Sequence, residues 1–199
     1  MQQIYLDNAA TTPVRPEVEE VMQPYFCEKY GNPSGIYKMA SECRQALETV
    51  RKQIGKTLKV SAEEIYFTSG GTESDNWAIK STAQRLKEKG KHIITSKIEH
   101  HAVLNSCAYL ETQGFEVTYL DVDERGCVCF DALQRAIRKD TILISIMYAN
   151  NEVGTIQPIG QIGKIAKEND IFFHTDAVQA YGQIPIDVKR ENIHLLSAS

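Results

Sequence analysis

A strand, a helix and a second strand follow one another within residues 92–122, whose sequence is HIITSKIEHHAVLNSCAYLETQGFEVTYLDV. The opening residues HIITS predict a strand, residues 102–113 predict a helix, and Gly114 stands where a helix commonly ends. Residues 115–122 predict the next strand. The chain also contains predicted strands that are apolar almost throughout, such as residues 141–148, and such strands indicate a parallel sheet that is covered on both faces.

The same alternation extends along most of the chain. Further strands are predicted at residues 64–68, 141–148, 171–176 and 193–196, and further helices at residues 72–89, near 131–138 and after Pro158. Strand–helix–strand repetition predicts right-handed crossovers and therefore an α/β fold, with a mostly parallel sheet flanked by helices.

The N-terminal part of the chain has a different pattern. It predicts an extended segment, then a loop at residues 31–33, and then an amphipathic helix. That helix carries four apolar residues at spacings of three and four along one stripe, namely Leu47, Val50, Ile54 and Leu58.

The composition argues against several classes of protein. The 199 residues include 22 Lys and Arg against 26 Asp and Glu, for a formal charge of −4, and 42% are hydrophobic, which argues against disorder. A mildly acidic chain without a recurring basic patch predicts no nucleic-acid partner. The best apolar run, residues 142–149, has the length of a strand, so we predict no membrane segment. Without a visible signal peptide, we predict a cytoplasmic location.

Five cysteines, at positions 27, 43, 107, 127 and 129, include no Cys-x-x-Cys pair. An odd number without metal-ligand spacing predicts neither a disulfide framework nor a zinc ribbon. We interpret all five as small buried hydrophobic residues.

The first candidate site is Ser69-Gly70-Gly71-Thr72, where a predicted strand turns through two glycines into a helix. In open parallel sheets, ligands bind beyond the carboxyl ends of the strands. Bare amides at such a helix start, with a hydroxyl beside them, form an anion site suited to a phosphate. The alternative is an ordinary cap, with Thr72 as the cap and Asp75 as a short substitute in a capping box. The chain lacks the glycine signatures of dinucleotide and P-loop sites.

The second candidate is Asp176, which closes a strongly apolar strand. A buried carboxylate there is costly unless it meets a cation, which could be a metal, a basic side chain or a protonated ring nitrogen. His174 shares its strand face and could join it in binding a metal, but two ligands are too few to name one. A structural aspartate that caps the next turn is the alternative.

Two further polar segments follow predicted strands. Glu99-His100-His101 offers His100 as a ligand, an acid–base group or a stacking ring, with a plain surface histidine as the alternative. Asn150-Asn151 offers amides that form turns or hydrogen-bond a planar ligand. A phosphate site, a carboxylate for a cation, a flat ring and amide donors together indicate pyridoxal 5′-phosphate, whose pyridinium needs an anionic partner to act as an electron sink.

Six motifs in one order carry a resemblance to a known family. They are YLDNAATTP (5–13), GNPS (31–34), TSGGTESDN (68–76), EH (99–100), NNEVG (150–154) and HTDAVQ (174–179). From residue 4 to the last residue, the chain resembles the cysteine desulfurases of the NifS/IscS type, within class V of the pyridoxal-phosphate aminotransferase superfamily.

The resemblance implies the pyridoxal-phosphate transferase fold of type I, which is a three-layer α/β fold with a mostly parallel sheet flanked by helices. Residues 1–15 would belong with the small domain, and residues 16–199 would form the large cofactor-binding domain. The large domain would be incomplete at the C-terminus, with its remainder and the C-terminal small domain absent.

The resemblance also implies roles for single residues. The residues expected to bind the cofactor are Gly71, Thr72, His100, Asn151, Asp176, Gln179 and Ser199. Among them, Gly71, Thr72 and Ser199 would hold the phosphate. His100 would stack on the pyridine ring and assist proton transfer, and Asp176 would keep the ring nitrogen protonated. Gln179 would contact the ring hydroxyl, and Asn151 would lie by the ring and the substrate.

Other implied residues lie around the substrate or outside the chain. Asn8 and Asn32 would border the substrate, and His174 would support the site from behind. The family commonly has Ser and His where this chain has Gly35 and Tyr37, which leaves the contacts of that loop to the substrate open. The Schiff-base lysine and the persulfide-forming cysteine would follow Ser199, so we expect this part of the protein to be inactive by itself. No metal site is expected.

The implied reaction converts L-cysteine to L-alanine and passes sulfur to an enzyme cysteine as a persulfide, for iron–sulfur cluster or thionucleoside assembly. A homodimer and a sulfur-acceptor protein, such as an iron–sulfur scaffold, are the implied partners. One alternative is a related class V enzyme, either a selenocysteine lyase or an aminotransferase. Another is a non-catalytic fragment that assembles with a second polypeptide.

Overall fold

The computed structural model describes residues 4–199, which separate into two compact units, one ending at Tyr66 and the other running from Phe67 to Ser199. The helices are α1 (Pro16–Cys27), α2 (Lys38–Leu58), α3 (Gly71–Leu86), α4 (His101–Thr112), α5 (Phe130–Ala136) and α6 (Ile159–Glu168). The strands are β1 (His92–Ser96), β2 (Glu116–Leu120), β3 (Thr141–Ser145), β4 (Phe172–Asp176) and β5 (Leu195–Ser197).

The second unit is built on one five-stranded sheet in the order β2-β1-β3-β4-β5, and every neighbouring pair is parallel. Strands β1 and β3 are buried along their whole length, which is why their sequences do not alternate. The edge strand β2 exposes Glu116. The predicted α/β fold with a mostly parallel sheet is therefore confirmed.

Helices cover both faces of this sheet, as β4 demonstrates. Successive side chains of a strand point to opposite faces. Phe173 lies against α6, where a Cβ on Gly163 would be 3.3 Å from the Phe173 ring. Its neighbour His174 points the other way, and its Nε2 lies 3.6 Å from Asp75 on α3. The three-layer arrangement follows from this alternation.

Most predicted elements lie within a few residues of the observed ones, but residues 64–68 do not form a strand. Glu64 instead ends a short 3₁₀ turn, and the Ile65 amide bonds back to Ala62 O at 3.2 Å. Tyr66 and Phe67 keep 68% and 48% of their surfaces exposed. An apolar run predicts a buried strand only where the fold covers it, and here the backbone closes a local turn.

Strand β3 ends at Ser145, three residues before the predicted end. The chain nevertheless continues along β4, because the amides of Ile146 and Tyr148 donate to His174 O and Asp176 O at 3.2 and 2.7 Å. Residues 141–150 are all buried, which accounts for the long apolar run in the sequence. The run therefore records burial rather than strand length.

The first unit contains α1, which the sequence did not predict, and the amphipathic helix α2. All side chains of α1 stay at least partly exposed, although Val18, Val21, Met22 and Tyr25 recur at helical spacings of three and four. Pro24 inside the helix interrupts this pattern, because proline rarely occurs in a helix interior. Helix α2 buries Leu58 but leaves Leu47 and Val50 at 36% and 41% exposure. The predicted stripe is therefore only partly buried in the residues that the structure describes.

The cysteines divide into two groups. Cys43 and Cys107 are buried, as predicted, whereas Cys27 and Cys129 are exposed and Cys127 is half-buried. The interpretation of all five as buried residues is wrong, because three of them lie on loops or at helix ends rather than in the core. All five are free thiols. Within residues 4–199, no helix combines the length and the apolarity that crossing a membrane requires.

Candidate cofactor site

The carboxyl ends of β1, β3, β4 and β5 meet at one edge of the sheet because all of these strands run in the same direction. Glu99 and His100 follow β1, Asp176 is the last residue of β4, and Ser199 follows β5. The residues predicted for a ligand site thus lie at the edge where open parallel sheets bind ligands. The start of α3 joins them through Gly71.

Helix α3 begins with exposed backbone donors. The preceding Gly70 has φ 152° and ψ 179°, a conformation that residues with a side chain rarely adopt. The Ser74 amide makes the first bond, to Gly70 O at 3.1 Å, so the amides of Gly71, Thr72 and Glu73 come before it without an intrahelical acceptor. These donors and the helix dipole favour an anion, which agrees with the predicted phosphate site.

The alternative of an ordinary cap is wrong. The helix starts at Gly71, which places Thr72 inside the first turn instead of at the cap position. Gly70 occupies that position without a side-chain bond, and Asp75 is buried with 1% of its surface exposed. Asp75 therefore faces the sheet and does not serve the helix end.

Close packing leaves no room for a side chain at Gly71. A Cβ there would lie 2.6 Å from Val178 Cγ2 and 3.9 Å from Ser199 Cβ. Val178 comes from the turn after β4, and its amide donates to Asp176 Oδ1 at 2.9 Å. The start of α3, the turn that holds Asp176 and the residue after β5 therefore meet at one point, with Ser199 beside the anion site.

The loop that leads into α3 is fixed by its own side chains. The Ser69 amide donates to Glu73 Oε2 at 2.6 Å, and hydrogen bonding from the Ser69 side chain and from this amide lowers the pKa of Glu73. Thr68 Oγ1 lies 2.7 Å from Ser74 Oγ. The glycine turn is thus held in place from both sides before any ligand arrives.

Asp176 is a buried carboxylate with 6% of its surface exposed. Burial raises its pKa, while the bond from the Val178 amide and the charge of nearby His100 lower it. A neutral amide does not compensate a buried negative charge, so a cation at this carboxylate would be strongly favoured. The predicted pairing of Asp176 with a protonated ring nitrogen fits this environment.

His174 lies behind Asp176 and has no exposed surface. Its Nδ1 lies 2.9 Å from Ser145 Oγ, and its Nε2 lies 3.0 Å from Ser197 Oγ. Burial lowers its pKa to about 3, so the ring is neutral at physiological pH. Because both ring nitrogens already have hydroxyl partners, the metal alternative for His174 and Asp176 has no support. Residues 4–199 contain no group of three or more side chains placed to hold a metal ion.

The sequence did not indicate that two further carboxylates, Glu99 and Asp75, are buried near Asp176. Glu99 accepts the Ser96 hydroxyl at 2.5 Å and the Met147 amide through both oxygens, at 3.1 and 3.0 Å. Burial raises the pKa of Glu99 to about 8 and that of Asp75 to about 7. The sequence did contain one signal, because Asp75 lies four residues before Ile79 and thus on the buried stripe of α3.

His100 is the cap of α4, and its ring is exposed. Its Nδ1 accepts the Ala102 amide at 3.1 Å, which leaves the proton of the neutral ring on Nε2. The charge of His100 acts on Asp176, so the structure brings these predicted residues together. A histidine ring held by one nitrogen, with the other nitrogen free to donate, suits a stacking and proton-transferring group.

The remaining predicted residues of this unit lie in the segments that follow β3 and β4. Asn150 is a turn residue, because its Oδ1 accepts the amides of Glu152 and Val153 at 2.9 Å each. Asn151 is half-buried, and its side-chain amide donates to Glu152 Oε1 at 2.9 Å. Gln179 is half-buried in the turn after β4.

Asn8 and Asn32 belong to the first unit, and both side chains are exposed. Asn32 Oδ1 accepts the Ser34 amide at 3.0 Å, and the Asn32 amide donates to the Tyr37 hydroxyl at 3.1 Å. A Cβ on Gly35 would lie 2.6 Å from Tyr37 Cε1. The two positions at which this loop departs from the expected pattern are therefore coupled, because the Tyr37 ring occupies the space beside Gly35.

Comparison with known proteins now adds a second line of support to the geometry. The model of the family described as aminotransferase class-V matches residues 4–199. The chain belongs to the class-V aminotransferase family. A cysteine desulfurase IscS from Methanosarcina thermophila is 64% identical over 196 residues, which are 98% of this chain and 48% of that protein. A putative cysteine desulfurase IscS 1 from Bacillus subtilis (strain 168) is 53% identical over 199 residues, which are 100% of this chain and 52% of that protein.

Two solved structures with related sequences have the same fold. A NifS-like protein superimposes with a TM-score of 0.96 and 42% identity, covering 100% of this chain and 55% of that one. The structure described as SspA in complex with cysteine has a TM-score of 0.95 and 45% identity, covering 98% of this chain and 56% of that one. The chain spans about half the length of the curated relatives it matches.

Pyridoxal 5′-phosphate is the cofactor of class-V aminotransferases, as the sequence predicted. The residues present fit this group at two points. Free amides and a glycine that tolerates no Cβ form the anion end, at the start of α3. A buried carboxylate at the end of β4 forms the cation end.

Proposed function

We propose that the full-length protein is a pyridoxal-phosphate-dependent cysteine desulfurase. In this reaction, L-cysteine and an enzyme thiol give L-alanine and an enzyme persulfide, so the sulfur moves and every atom is retained. The observation that carries the proposal is the buried carboxylate of Asp176, at the same sheet edge as the free amides of α3. The names of the relatives support the choice of substrate.

The anion end would hold the phosphate through the amides of Gly71 and Thr72, with the hydroxyls of Thr72 and Ser199 beside them. Ser199 lies close to Gly71, which supports its part in this site. Since the donors are mainly backbone groups at a helix start, they are oriented before binding and lose little entropy.

The cation end would hold the ring nitrogen through Asp176. When bound, the cofactor supplies an electron sink for the electron pair that remains after the substrate loses its Cα proton. Asp176 would keep that sink effective by stabilising the protonated ring nitrogen. His100 would lie against the ring, with its Nε2 proton available for transfer because Nδ1 is occupied by the Ala102 amide.

Other roles rest on the resemblance. Gln179 would contact the ring hydroxyl, Asn151 would lie by the ring and the substrate, and Asn8 and Asn32 would border the substrate. Residues 1–15 would belong with the small domain and residues 16–199 with the large domain. The full-length protein would supply the cofactor lysine and the persulfide cysteine.

The proposed partners follow from the proposed reaction. A homodimer and a sulfur acceptor, such as an iron–sulfur scaffold protein, would work with the enzyme in the cytoplasm. We propose no nucleic-acid or membrane partner. The mildly acidic charge of −4 supports the proposal that nucleic acid is not a partner.

The test is a product assay with the full-length protein and pyridoxal 5′-phosphate. With L-cysteine we expect alanine and persulfide sulfur in equal amounts, and with Asp176→Asn we expect little of either. Parallel assays with L-selenocysteine, and with an amino-acid and keto-acid pair, distinguish the lyase and aminotransferase alternatives. Failure to form alanine from L-cysteine would overturn the proposal.

A further inference from the structure

Asp75 is a buried carboxylate that the proposed reaction does not use. It lies in the first turns of α3 with 1% of its surface exposed. Its Oδ1 has no hydrogen-bond partner among residues 4–199. His174 Nε2 lies 3.6 Å from this oxygen, at ion-pair distance. An unpartnered buried carboxylate oxygen is costly, so it calls for a functional explanation.

A line of hydrogen bonds connects Asp75 to three neighbouring strands. Ser145 on β3 lies 2.9 Å from His174 Nδ1, and His174 Nε2 lies 3.0 Å from Ser197 on β5. Ser197 also hydrogen-bonds Asp75. With a neutral His174, the consistent pattern has Ser145 donating to Nδ1, Nε2–H donating to Ser197, and Ser197 donating to Asp75. The carboxylate therefore receives a neutral hydroxyl and no positive charge from this line.

The titratable groups that act on Asp75 lie on β4 and on the segment after β1, and a further thiol lies on α4, which packs against α3. Strand β4 contributes neutral His174 and the carboxylate Asp176, and the segment after β1 contributes Glu99 and His100. Helix α4 contributes Cys107, a thiol whose pKa burial raises to about 12. Burial and the charge of Asp176 together raise the pKa of Asp75 to about 7. Among residues 4–199, the buried side chains of this region are several acids and a neutral histidine, and the compensating effect on Asp176 comes from exposed His100.

We propose that Asp75 is a further positioning residue of the cofactor site, whose buried carboxylate adds a second negative charge when a cationic ring nitrogen is held at Asp176. The proton on the Asp75 carboxyl then leaves to solvent as the cation arrives. Asp75 acts through the electrostatic potential at Asp176 and touches no reacting atom. This inference rests on the proposed role of Asp176.

The test compares the cofactor with an analogue in which a C–H group replaces the ring nitrogen, using the cofactor-free full-length protein. Replacing Asp75 by Asn keeps the shape and removes the charge. We expect Asp75→Asn to weaken binding of pyridoxal 5′-phosphate by about tenfold, because the charges of Asp75 and Asp176 already act on each other in this largely buried site. Binding of the analogue should not change. Equal weakening of both ligands would indicate a merely structural role and would overturn the inference.

A matched control is Asp131→Asn, which makes the same chemical change at an exposed position in the first turn of α5. It should alter neither affinity. Proton counting provides a second readout, by titration calorimetry in buffers with different ionisation enthalpies. At pH 7, the parent protein should release about half a proton more per cofactor bound than Asp75→Asn, because a group with a pKa near 7 is then half protonated. An equal proton count in both proteins would contradict the proposal.

If Asp75→Asn fails to fold, Ser197→Ala tests the same idea. It removes the hydrogen bond that lowers the Asp75 pKa, so proton release should shift to higher pH, and an unshifted profile would overturn the inference. Asp176→Asn separates this inference from the proposed function. If Asp176→Asn weakens binding of the cofactor and of the analogue equally, the proposed role of Asp176 fails. If Asp176→Asn weakens binding of the cofactor more than that of the analogue but Asp75→Asn does not, the further inference fails and the proposed function stands.

Discussion

The two ends of the candidate cofactor site are built by opposite means. The anion end consists of backbone amides at the start of α3, beside the exposed side chain of Thr72. The cation end consists of buried side-chain carboxylates, with Asp176 in front and Asp75 and Glu99 around it. The comparison indicates that a backbone site is sensitive to added volume, whereas a side-chain site is sensitive to charge and pH.

The energies of the two ends should differ accordingly. A charge at a helix terminus gains about 0.3–1 kcal/mol at an exposed position. Removing one partner of a buried ion pair costs about 3–5 kcal/mol. We therefore expect the largest effects of single substitutions at the cation end.

The largest effect is expected for Asp176→Asn in the full-length protein. Cofactor affinity should fall by at least about 100-fold, because the ring nitrogen loses its buried anion. The cofactor-free protein should unfold at the same or a higher temperature, since burial of this carboxylate raises its pKa and the charge is costly. Equilibrium binding and thermal melting measure the two effects. A loss of thermal stability with unchanged cofactor affinity would show that Asp176 serves folding and not the cation end of the site.

The next effect is expected for Gly71→Ala at the anion end. The new Cβ would lie 2.6 Å from Val178 Cγ2, so cofactor affinity should fall by about tenfold through overpacking. Adding Val178→Ala should restore most of the loss by removing the clash. Gly160→Ala in α6 is the control, because its Cβ would meet only Glu191 Cγ at 3.9 Å. If the double variant is as weak as the single variant, steric exclusion is not the reason for this glycine.

A smaller effect is expected in the pH dependence of stability. The pKa of Asp75 is raised to about 7 and that of Glu99 to about 8, so the folded protein holds protons that the unfolded chain has already lost above about pH 5. Stability must then fall as pH rises through these values. His174, with its pKa lowered to about 3, contributes the opposite slope, which is nearly complete by pH 7.

Between pH 7 and 8.5 we therefore expect the free energy of unfolding of the cofactor-free protein to fall by about 1–2 kcal/mol. Denaturant titrations of the full-length protein at both pH values measure this change. The double variant Asp75→Asn with Glu99→Gln should lose most of it. A slope that persists in the double variant would assign the pH dependence to other groups.

The smallest effect is expected for the hydroxyls of the anion end. Thr72→Val and Ser199→Ala should each weaken cofactor binding by about 2–10-fold, since a neutral hydrogen bond contributes about 0.5–1.5 kcal/mol. Ser81→Ala, at an exposed position on the same helix, should have no effect. Affinities for pyridoxal 5′-phosphate and for pyridoxal, which lacks the phosphate, separate this effect from changes at the ring. A loss that is equal for both ligands would place the hydroxyls elsewhere.

The fold was largely predictable because burial leaves a direct trace in the sequence. Strand β1 was predicted with its observed bounds, and α4 and α6 begin within a residue or so of their predicted starts. Residues 146–148 were wrongly included in a strand, because apolar character records burial and not a ladder of hydrogen bonds. Residues 64–68 were wrongly predicted for a different reason, because this apolar run stays largely exposed and closes a local turn. Helix α1 was not predicted although Val18, Val21, Met22 and Tyr25 recur at helical spacing, because Pro24 stands within this pattern and a proline usually ends a helix.

The candidate site was predictable where a residue type has few other uses at its position. Paired glycines before a helix and an aspartate at the end of an apolar strand both indicated their ends of the site. Asp75 was misinterpreted as part of a helix cap, and Glu99 was noted only as a neighbour of His100. The role of Asp75 and Glu99 depends on their proximity to Asp176. The sequence does not show this proximity, because α3 and the segment after β1 are far from β4 along the chain.

Local patterns of burial and the ordered motifs were sufficient to predict the parallel α/β fold, the family and the cofactor. The packing of distant segments was needed to show that Asp75, Glu99 and Asp176 share one buried region, and that Val178 leaves no room beside Gly71. The physical reason is that electrostatic potential and steric exclusion depend on distances between segments. Those distances are set when the strands align and α3 packs across them.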